Sequence, residues 1–279
     1  MPIHDQGYRR YGGERTPRGR TWAVIASAGV RTLLGKRAFL GLLLVSWVPF
    51  VVRAVQIYMA SNLPQAKFLA PSAETFKDFL GQQDIFVFFI AVYAGAGLIA
   101  NDRRANALQI YLSKPLTRIE YIFGKLAILL TFLLLVTWLP ALVLLIVQVA
   151  FAGSFTFFRE NLHVLPALTV ASFVQVLTVA SAMLALSSLT NSSRYVGVLY
   201  AGFVFLTSAI YNVLYAVTRD SSWAWLSMSN NFSQLASAVF RVPPAYDTPW
   251  VVSVAVIAAV IAASGLVLAR RVRAVEVVA

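Results

Sequence analysis

The sequence predicts an all-α, polytopic membrane protein with about six transmembrane helices. Two observations lead to this class. The 279 residues are 59% hydrophobic and only 12% charged, whereas a soluble domain has roughly 45–50% apolar and about 25% charged residues. The apolar residues also lie in blocks of about 20, the length that crosses a bilayer as a helix. The hydrophobic excess therefore indicates that lipid surrounds most of the chain.

The apolar blocks place the spans along the chain. We expect them at residues 38–58, 85–100, 122–151, 165–189, 195–217 and 250–269. The second block is short for a span, so we expect it to begin earlier, to tilt or to be irregular where protein covers it. Residues 1–20 hold five arginines without apolar periodicity, which predicts a disordered basic cytoplasmic tail. Residues 21–279 then form a single transmembrane domain.

The segment from Thr21 to Arg37 mixes apolar and basic residues. This pattern suits an amphipathic helix on the inner membrane face. The alternative is a juxtamembrane start of the first span. The sequence leaves both open.

Positive charge predicts the orientation of the chain. If the amino terminus is inside, 17 of the 23 Lys and Arg residues lie on the cytoplasmic side and six on the outer side. Cytoplasmic loops are enriched in Lys and Arg, so both termini are expected in the cytoplasm. The same distribution accounts for the net charge of +12 without nucleic acid as a partner.

Several kinds of chemistry lack their residues. The chain has no cysteine, which excludes disulfides and thiolate sites. A phosphate-binding G-x-x-x-x-G-K-[ST] loop is missing, because both Gly-Lys pairs, Gly35-Lys36 and Gly124-Lys125, lack its first glycine and its final hydroxyl. No metal or acid/base cluster is evident, and we expect no enzyme activity and no catalytic, cofactor or metal site.

A proton-driven transporter usually holds an ionisable group inside the bilayer. We place all eleven Asp and Glu residues, Asp84 among them, in tails, loops or span ends. The expectation is therefore that the spans hold no buried proton carrier.

Mild polar residues lie within the spans. Ser172, Gln175, Thr178 and Ser181 share one face of the fourth span, and Asn212 lies in the fifth. Such groups form interhelical hydrogen bonds or line a pathway, and both alternatives stay open.

Small residues form a separate stripe. Ala255, Ala259 and Ala263 have a spacing that allows close helix packing in the sixth span, within the chain or with a second copy.

Two outer segments have helical patterns. Residues 75–83 and 232–241 repeat apolar side chains at helical spacing, and Trp223 and Trp225 are typical of the membrane interface. We expect two short helices on the outer surface.

The loop between the second and third spans has a defined start and end. Asp102 suits the start of a helix, and Leu108 and Tyr111 fall on one face of it. Lys114-Pro115 ends that helix. Thr117 and Glu120 then have the spacing of a capping box for the third span. A short, rigidly held helix predicts a docking element for another protein.

These residues resemble the corresponding loop of type-2 ATP-binding-cassette (ABC) permeases. The similar residues are Asp102-Arg103-Arg104, Ala107-Leu108, Tyr111-Leu112, Lys114-Pro115-Leu116-Thr117-Arg118, Tyr121 and Gly124-Lys125-Leu126. The motif covers about 25 residues, and the six-span layout extends a weaker resemblance over the chain. One departure is Ala105-Asn106, where a small or Gly-containing step is common, and it affects only the fine geometry.

The resemblance implies a type-2 ABC exporter fold, with an amino-terminal elbow helix and this loop as a cytoplasmic coupling helix. It implies a permease subunit of an exporter in the cell membrane, here the bacterial cytoplasmic membrane, with a second identical or related permease chain and membrane lipid around both. Two copies of a cytoplasmic ATPase would bind ATP and Mg²⁺, and this chain would bind no cofactor. The ATPase contacts would be Asp102, Arg103, Arg104, Leu108, Tyr111, Lys114, Pro115 and Arg118.

A second reading is a non-transporting membrane anchor or assembly factor that recruits a cytoplasmic protein through the same loop. Six spans with polar faces are more membrane than an anchor needs. The cargo does not follow from the fold.

Overall fold

A computed structural model describes residues 21–63, 65, 72–107, 117–152 and 161–272. Within these ranges every regular element is a helix. Six helices are long and apolar enough to cross a membrane, which confirms the predicted fold class. They are Arg37–Asn62, Ala73–Arg104, Arg118–Phe151, Val164–Leu189, Ser193–Thr218 and Trp250–Arg271. The predicted tail, residues 1–20, lies outside the described residues.

Three of the spans are interrupted. The first consists of helices Arg37–Val45 and Val48–Asn62. The third consists of Arg118–Val136 and Trp138–Ala152. In each case a proline, Pro49 or Pro140, lies in the first turn of the second helix, where its missing N–H and its ring break the hydrogen-bond ladder.

The second span has a different kind of break. Helix Ala73–Ile90 continues as a π-helical segment, Ala91–Gly95, and after a turn as the short helix Ala100–Arg104. Backbone N–H groups are freed at such a break and need other acceptors.

The second span begins at Ala73, twelve residues before the predicted start at Ile85. Its buried face continues through Phe76, Phe79 or Leu80, the polar Gln83, and Val87. The separate surface helix predicted at residues 75–83 is therefore wrong, because these residues form the first part of the span.

The amino-terminal helix Thr21–Leu34 is separate from the first span, since a turn at Gly35 and Lys36 divides them. It packs closely on the third span. A Cβ atom on Gly124 would lie 2.8 Å from Cβ of Ile25 and 3.0 Å from the Trp22 carbonyl oxygen. Only glycine permits this approach.

The spans alternate in direction, so the bundle has two ends. We call the end that carries residues 105–117 the loop end, and the opposite end, where the fifth span is joined to the sixth, the cap end. The fourth span lies at the centre, with 72% of its apolar window buried, against 17% for the first and fifth and 22% for the sixth. The outer spans therefore leave most of their surface to lipid or a partner.

The cap end carries a 3₁₀ turn, Ser221–Leu226, and the helix Met228–Phe240, which we call the cap helix. The cap helix confirms the helix predicted at residues 232–241. It buries Leu235 and Phe240 against the bundle. Trp223 and Trp225 stay partly exposed beside it.

The sixth span turns its alanine stripe outward. Ala255, Ala259 and Ala263 are exposed, and the side toward the bundle carries Ile257 and Leu268 instead. Among the described residues the stripe therefore packs against no other helix, and contact with a second copy stays a prediction.

Candidate functional site

The structure describes four of the eight residues predicted to contact the partner at the loop. Asp102, Arg103 and Arg104 lie in the short helix Ala100–Arg104, and Arg118 begins the third span. Leu108, Tyr111, Lys114 and Pro115 lie outside the described residues. The coupling helix itself stays a prediction, and the structure describes the elements that hold its two ends.

Asp102 joins the end of the second span to the third. Its carboxylate lies 2.7 Å from Nζ of Lys125 and accepts a hydrogen bond of 2.7 Å from the Tyr121 hydroxyl. The Lys125 side chain is 13% exposed and that of Asp102 18%. Limited access of water strengthens such a pair relative to one on the surface. The start of the loop is thereby fixed to the third span.

The two arginines that follow have different surroundings. An Nη1 donor of half-buried Arg103 bonds the carbonyl of Ser188, at the end of the fourth span. Arg104 and Arg118 are exposed. Arg103 therefore holds the loop to the fourth span, whereas Arg104 and Arg118 are accessible to a partner.

Ser187 satisfies the backbone groups freed by the break in the second span. Its Oγ accepts hydrogen bonds from the N–H of Ile99, at 3.1 Å, and of Ala100, at 3.0 Å, and donates to the carbonyl of Ala96, at 2.9 Å. The second and fourth spans are consequently joined just before the loop begins.

The capping box predicted at the start of the third span is confirmed. Thr117 Oγ1 accepts from the Glu120 N–H at 3.2 Å, and Glu120 Oε2 accepts from the Thr117 N–H at 3.0 Å. The segment that enters the loop and the segment that leaves it are therefore both fixed by side-chain hydrogen bonds.

At the cap end, Asp84 lies inside the span Ala73–Arg104. Its Oδ1 accepts a hydrogen bond of 2.5 Å from Nε2 of Gln175, and its Oδ2 accepts one of 2.9 Å from Oγ of Ser229. The expectation that all carboxylates lie in tails, loops or span ends is therefore wrong for Asp84. The prediction from hydropathy places the start of this span at Ile85, one residue after Asp84.

Asp84 lies between two cavities. The larger, which we call the cap cavity, has a volume of about 450 Å³ and lies between the first, second and fourth spans and the cap helix. Its charged side chains are Arg53, Lys77, Asp78 and Asp84. The smaller has a volume of about 80 Å³ and is lined mostly by apolar side chains of the second, fourth and fifth spans, with Asp84, Gln175 and Ser229 at its boundary.

Tyr246 lies at the rim of the cap cavity, outside the spans. Burial raises the pKa of its hydroxyl, which further favours the protonated form that a tyrosine has at neutral pH. It donates a hydrogen bond of 3.1 Å to Oδ1 of Asn230. Arg53 is held nearby, with Nε 3.3 Å from Oε1 of Gln82.

The other polar residues predicted in the spans have four kinds of surroundings. Gln175 makes an interhelical hydrogen bond, through Asp84. Thr178 and Ser181 bond carbonyls of their own helix. Ser172 is fully buried, and its hydroxyl has no hydrogen-bond partner among the described residues. Asn212 is exposed on the fifth span, so a role in a pathway stays a prediction for it.

Sequence reasoning missed Asp84 and Ser229 as neighbours. The signal that could have found Asp84 is the apolar repeat from Phe76 to Ile90, which continues on both sides of Gln83 and predicts one helix through residue 84. Nothing local predicts Ser229, because it reaches Asp84 from a helix 145 residues later in the chain. Within the described residues no group of three or more His, Asp or Glu side chains could hold a metal ion.

The chain is similar to a known protein family. The family model described as ABC-2 family transporter protein matches residues 23–271. No curated protein matches the chain. The matched range runs from the amino-terminal helix to the end of the sixth span, and so includes both the loop end and the cap end.

Proposed function

Since the chain belongs to the family of ABC-2 transporter proteins, we propose that this membrane permease of an ABC transporter is an exporter, driven by ATP hydrolysis in a separate cytoplasmic ATPase subunit. The observation that carries the proposal is the match over residues 23–271. It supports a transport subunit rather than a membrane anchor, because the match covers all six spans.

The loop end would face the cytoplasm. The support is the distribution of basic residues, 17 on that side against six on the other, which follows the rule for cytoplasmic loops. Both termini are then cytoplasmic, and the cap cavity lies toward the outside. In a bacterium this membrane is the cytoplasmic membrane.

The loop would pass the movement of the ATPase to the spans. The ion pair between Asp102 and Lys125 ties it to the third span, and Arg103 and Ser187 tie it to the fourth. A force that the ATPase exerts on residues 105–117 would therefore move the second, third and fourth spans together rather than bend one of them. ATP and Mg²⁺ would be bound by the ATPase, in two copies, one for each permease chain.

A second permease chain, identical or related, would complete the transport path. The first, fifth and sixth spans leave most of their surface uncovered by this chain. Small exposed residues on the sixth span suit close contact with another helix.

The test is reversal of an exposed charge at the loop end. Arg104→Glu is expected to weaken binding of the co-purified ATPase by roughly tenfold, because a like charge placed against a complementary surface is repelled. ATP-dependent transport in vesicles should fall with it. The matched control is Arg219→Glu, an exposed arginine at the cap end, which should leave ATPase binding unchanged.

The outcome decides between the readings of the loop. If no ATPase co-purifies from the native membrane, the exporter proposal fails. If an ATPase binds and Arg104→Glu has no effect, the assignment of this surface is wrong. Binding of a cytoplasmic protein without ATP-dependent transport would favour the membrane anchor instead.

A further inference from the structure

Among the described residues, Asp84 is a carboxylate without a cationic partner. The described residues contain one ion pair, between Asp102 and Lys125 at the other end of the bundle. Asp84 receives hydrogen bonds only from neutral donors, Gln175 and Ser229. A charge removed from water normally requires a partner of opposite charge. The missing cation indicates that Asp84 is built to receive one from outside the chain.

The geometry keeps the carboxylate oriented and accessible. One hydrogen bond is made to each oxygen, and each oxygen can accept a second. Asp84 also lines both cavities. The two fixed donors thus hold the carboxylate in place and leave acceptor capacity toward the cap cavity.

Basic side chains and an unused donor line the same cavity. Arg53 is positioned by hydrogen bonds to Gln56 and Gln82, and Lys77 has no ion pair among the described residues. Nδ2 of Asn230 is buried and has no hydrogen-bond partner among the described residues, although Oδ1 of this residue accepts from Tyr246. An unpaired buried donor costs about 1–3 kcal/mol, so a ligand acceptor is expected there.

Size and polarity restrict what can enter. A volume of about 450 Å³ lies in the range of small-molecule sites. The second cavity on the other side of Asp84 has a volume of only about 80 Å³ and is lined mostly by apolar side chains such as Val87 and Val179. A charged group would therefore stop at Asp84.

We propose that the cap cavity binds a small zwitterion, with its ammonium group on Asp84 and its anionic group beside Arg53 and Lys77. This chemistry has two sources, the headgroup of an aminophospholipid and a free zwitterionic solute. The site does not require that the chain be an exporter, so it stands or falls separately from the function proposed above.

Binding to the purified full-length chain tests the site. The probes are glycerophosphoethanolamine, which carries both charges, and ethanolamine, which carries only the ammonium. Asp84→Asn is expected to weaken binding of both by about tenfold or more, since a charge-assisted hydrogen bond is lost. Arg53→Gln should weaken only glycerophosphoethanolamine. Asp220→Asn removes an equal charge from the exposed outer segment and should change neither affinity.

The two variants keep the proposal falsifiable. If glycerophosphoethanolamine does not bind, or if it binds equally to the folded Asp84→Asn chain, the site is refuted. If Asp84→Asn does not fold, the Arg53→Gln variant decides. If this variant loses affinity for both probes equally, or keeps its affinity for both, the assignment of the ammonium group to Asp84 and of the anionic group to Arg53 is wrong.

Nanodiscs separate the two sources. The chain is placed in nanodiscs of phosphatidylethanolamine or of phosphatidylglycerol, and binding of glycerophosphoethanolamine is measured in each. If phosphatidylethanolamine displaces this probe from the chain and phosphatidylglycerol does not, the ligand is a lipid headgroup. Equal binding in both kinds of disc identifies a free solute. Displacement by phosphatidylglycerol alone would contradict the proposed role of Asp84.

Discussion

The loop end and the cap end of the bundle differ in whether their aspartate has a cationic partner among the described residues. At the loop end Asp102 is paired with Lys125 at 2.7 Å, and freed backbone groups are satisfied by Ser187. At the cap end Asp84 borders a cavity without a paired cation among the described residues. Satisfied polar groups favour one arrangement, and unsatisfied ones favour an added ligand. The contrast indicates that the loop end is held in place by its own side chains and that the cap end is suited to bind a ligand.

The same substitution at both ends should give the largest contrast. Asp102→Asn leaves Lys125 half-buried without its carboxylate, so we expect the free energy of unfolding to fall by about 3 kcal/mol. Asp84→Asn leaves no cation unpaired and should cost about 1 kcal/mol or less. Thermal unfolding of both variants in one detergent measures the difference.

The result could reverse the comparison. Equal loss at both ends would mean that Asp84 has a cationic partner in the folded chain. A double variant that also carries Lys125→Ala checks the pair directly, because its loss should be smaller than the sum of the two single losses.

A second contrast concerns packing. Gly124→Ala places a Cβ atom 2.8 Å from Ile25 and 3.0 Å from the Trp22 carbonyl oxygen. We expect a loss of about 2 kcal/mol, because the amino-terminal helix must shift. The control is Gly265→Ala, whose Cβ would meet nothing within 4 Å and which should leave stability equal or slightly higher. Similar melting temperatures for the two variants would contradict the close approach.

The smallest expected effect comes from the serine pair at the end of the fourth span. Ser187→Ala removes the acceptor of the Ile99 and Ala100 N–H groups and should cost about 1–2 kcal/mol. Ser188→Ala loses only a bond to Ala185 within its own helix and should cost less than about 0.5 kcal/mol. Hydrogen exchange at Ile99 and Ala100 should rise in the first variant alone; unchanged exchange would show that other acceptors serve these groups.

The sequence could predict features that depend on neighbours along the chain. The number of spans follows from apolar length. The capping box of Thr117 and Glu120 follows from a spacing of three residues. The cap helix also follows from the period of its apolar residues.

It could not predict features that depend on distant neighbours. The stretch before Ile85 contains Glu74, Lys77 and Asp78, so its hydropathy resembles that of a loop. Part of it belongs in the bundle because the fourth span and the cap helix cover it. Likewise the partner of Asp102 could be any nearby lysine until the fold brings Lys125 to it.

The π-helical segment Ala91–Gly95 sets the angular phase between the two halves of the second span. A π turn holds one residue more than an α turn, and one residue of an α-helix corresponds to about 100° of rotation. Deleting a single residue from this segment would restore an α-helix and keep the present phase, whereas the same residues wound as an α-helix would rotate the Asp84 half relative to the Asp102 half by about that angle. The carboxylate would then face away from Gln175, although the composition of both halves would be unchanged.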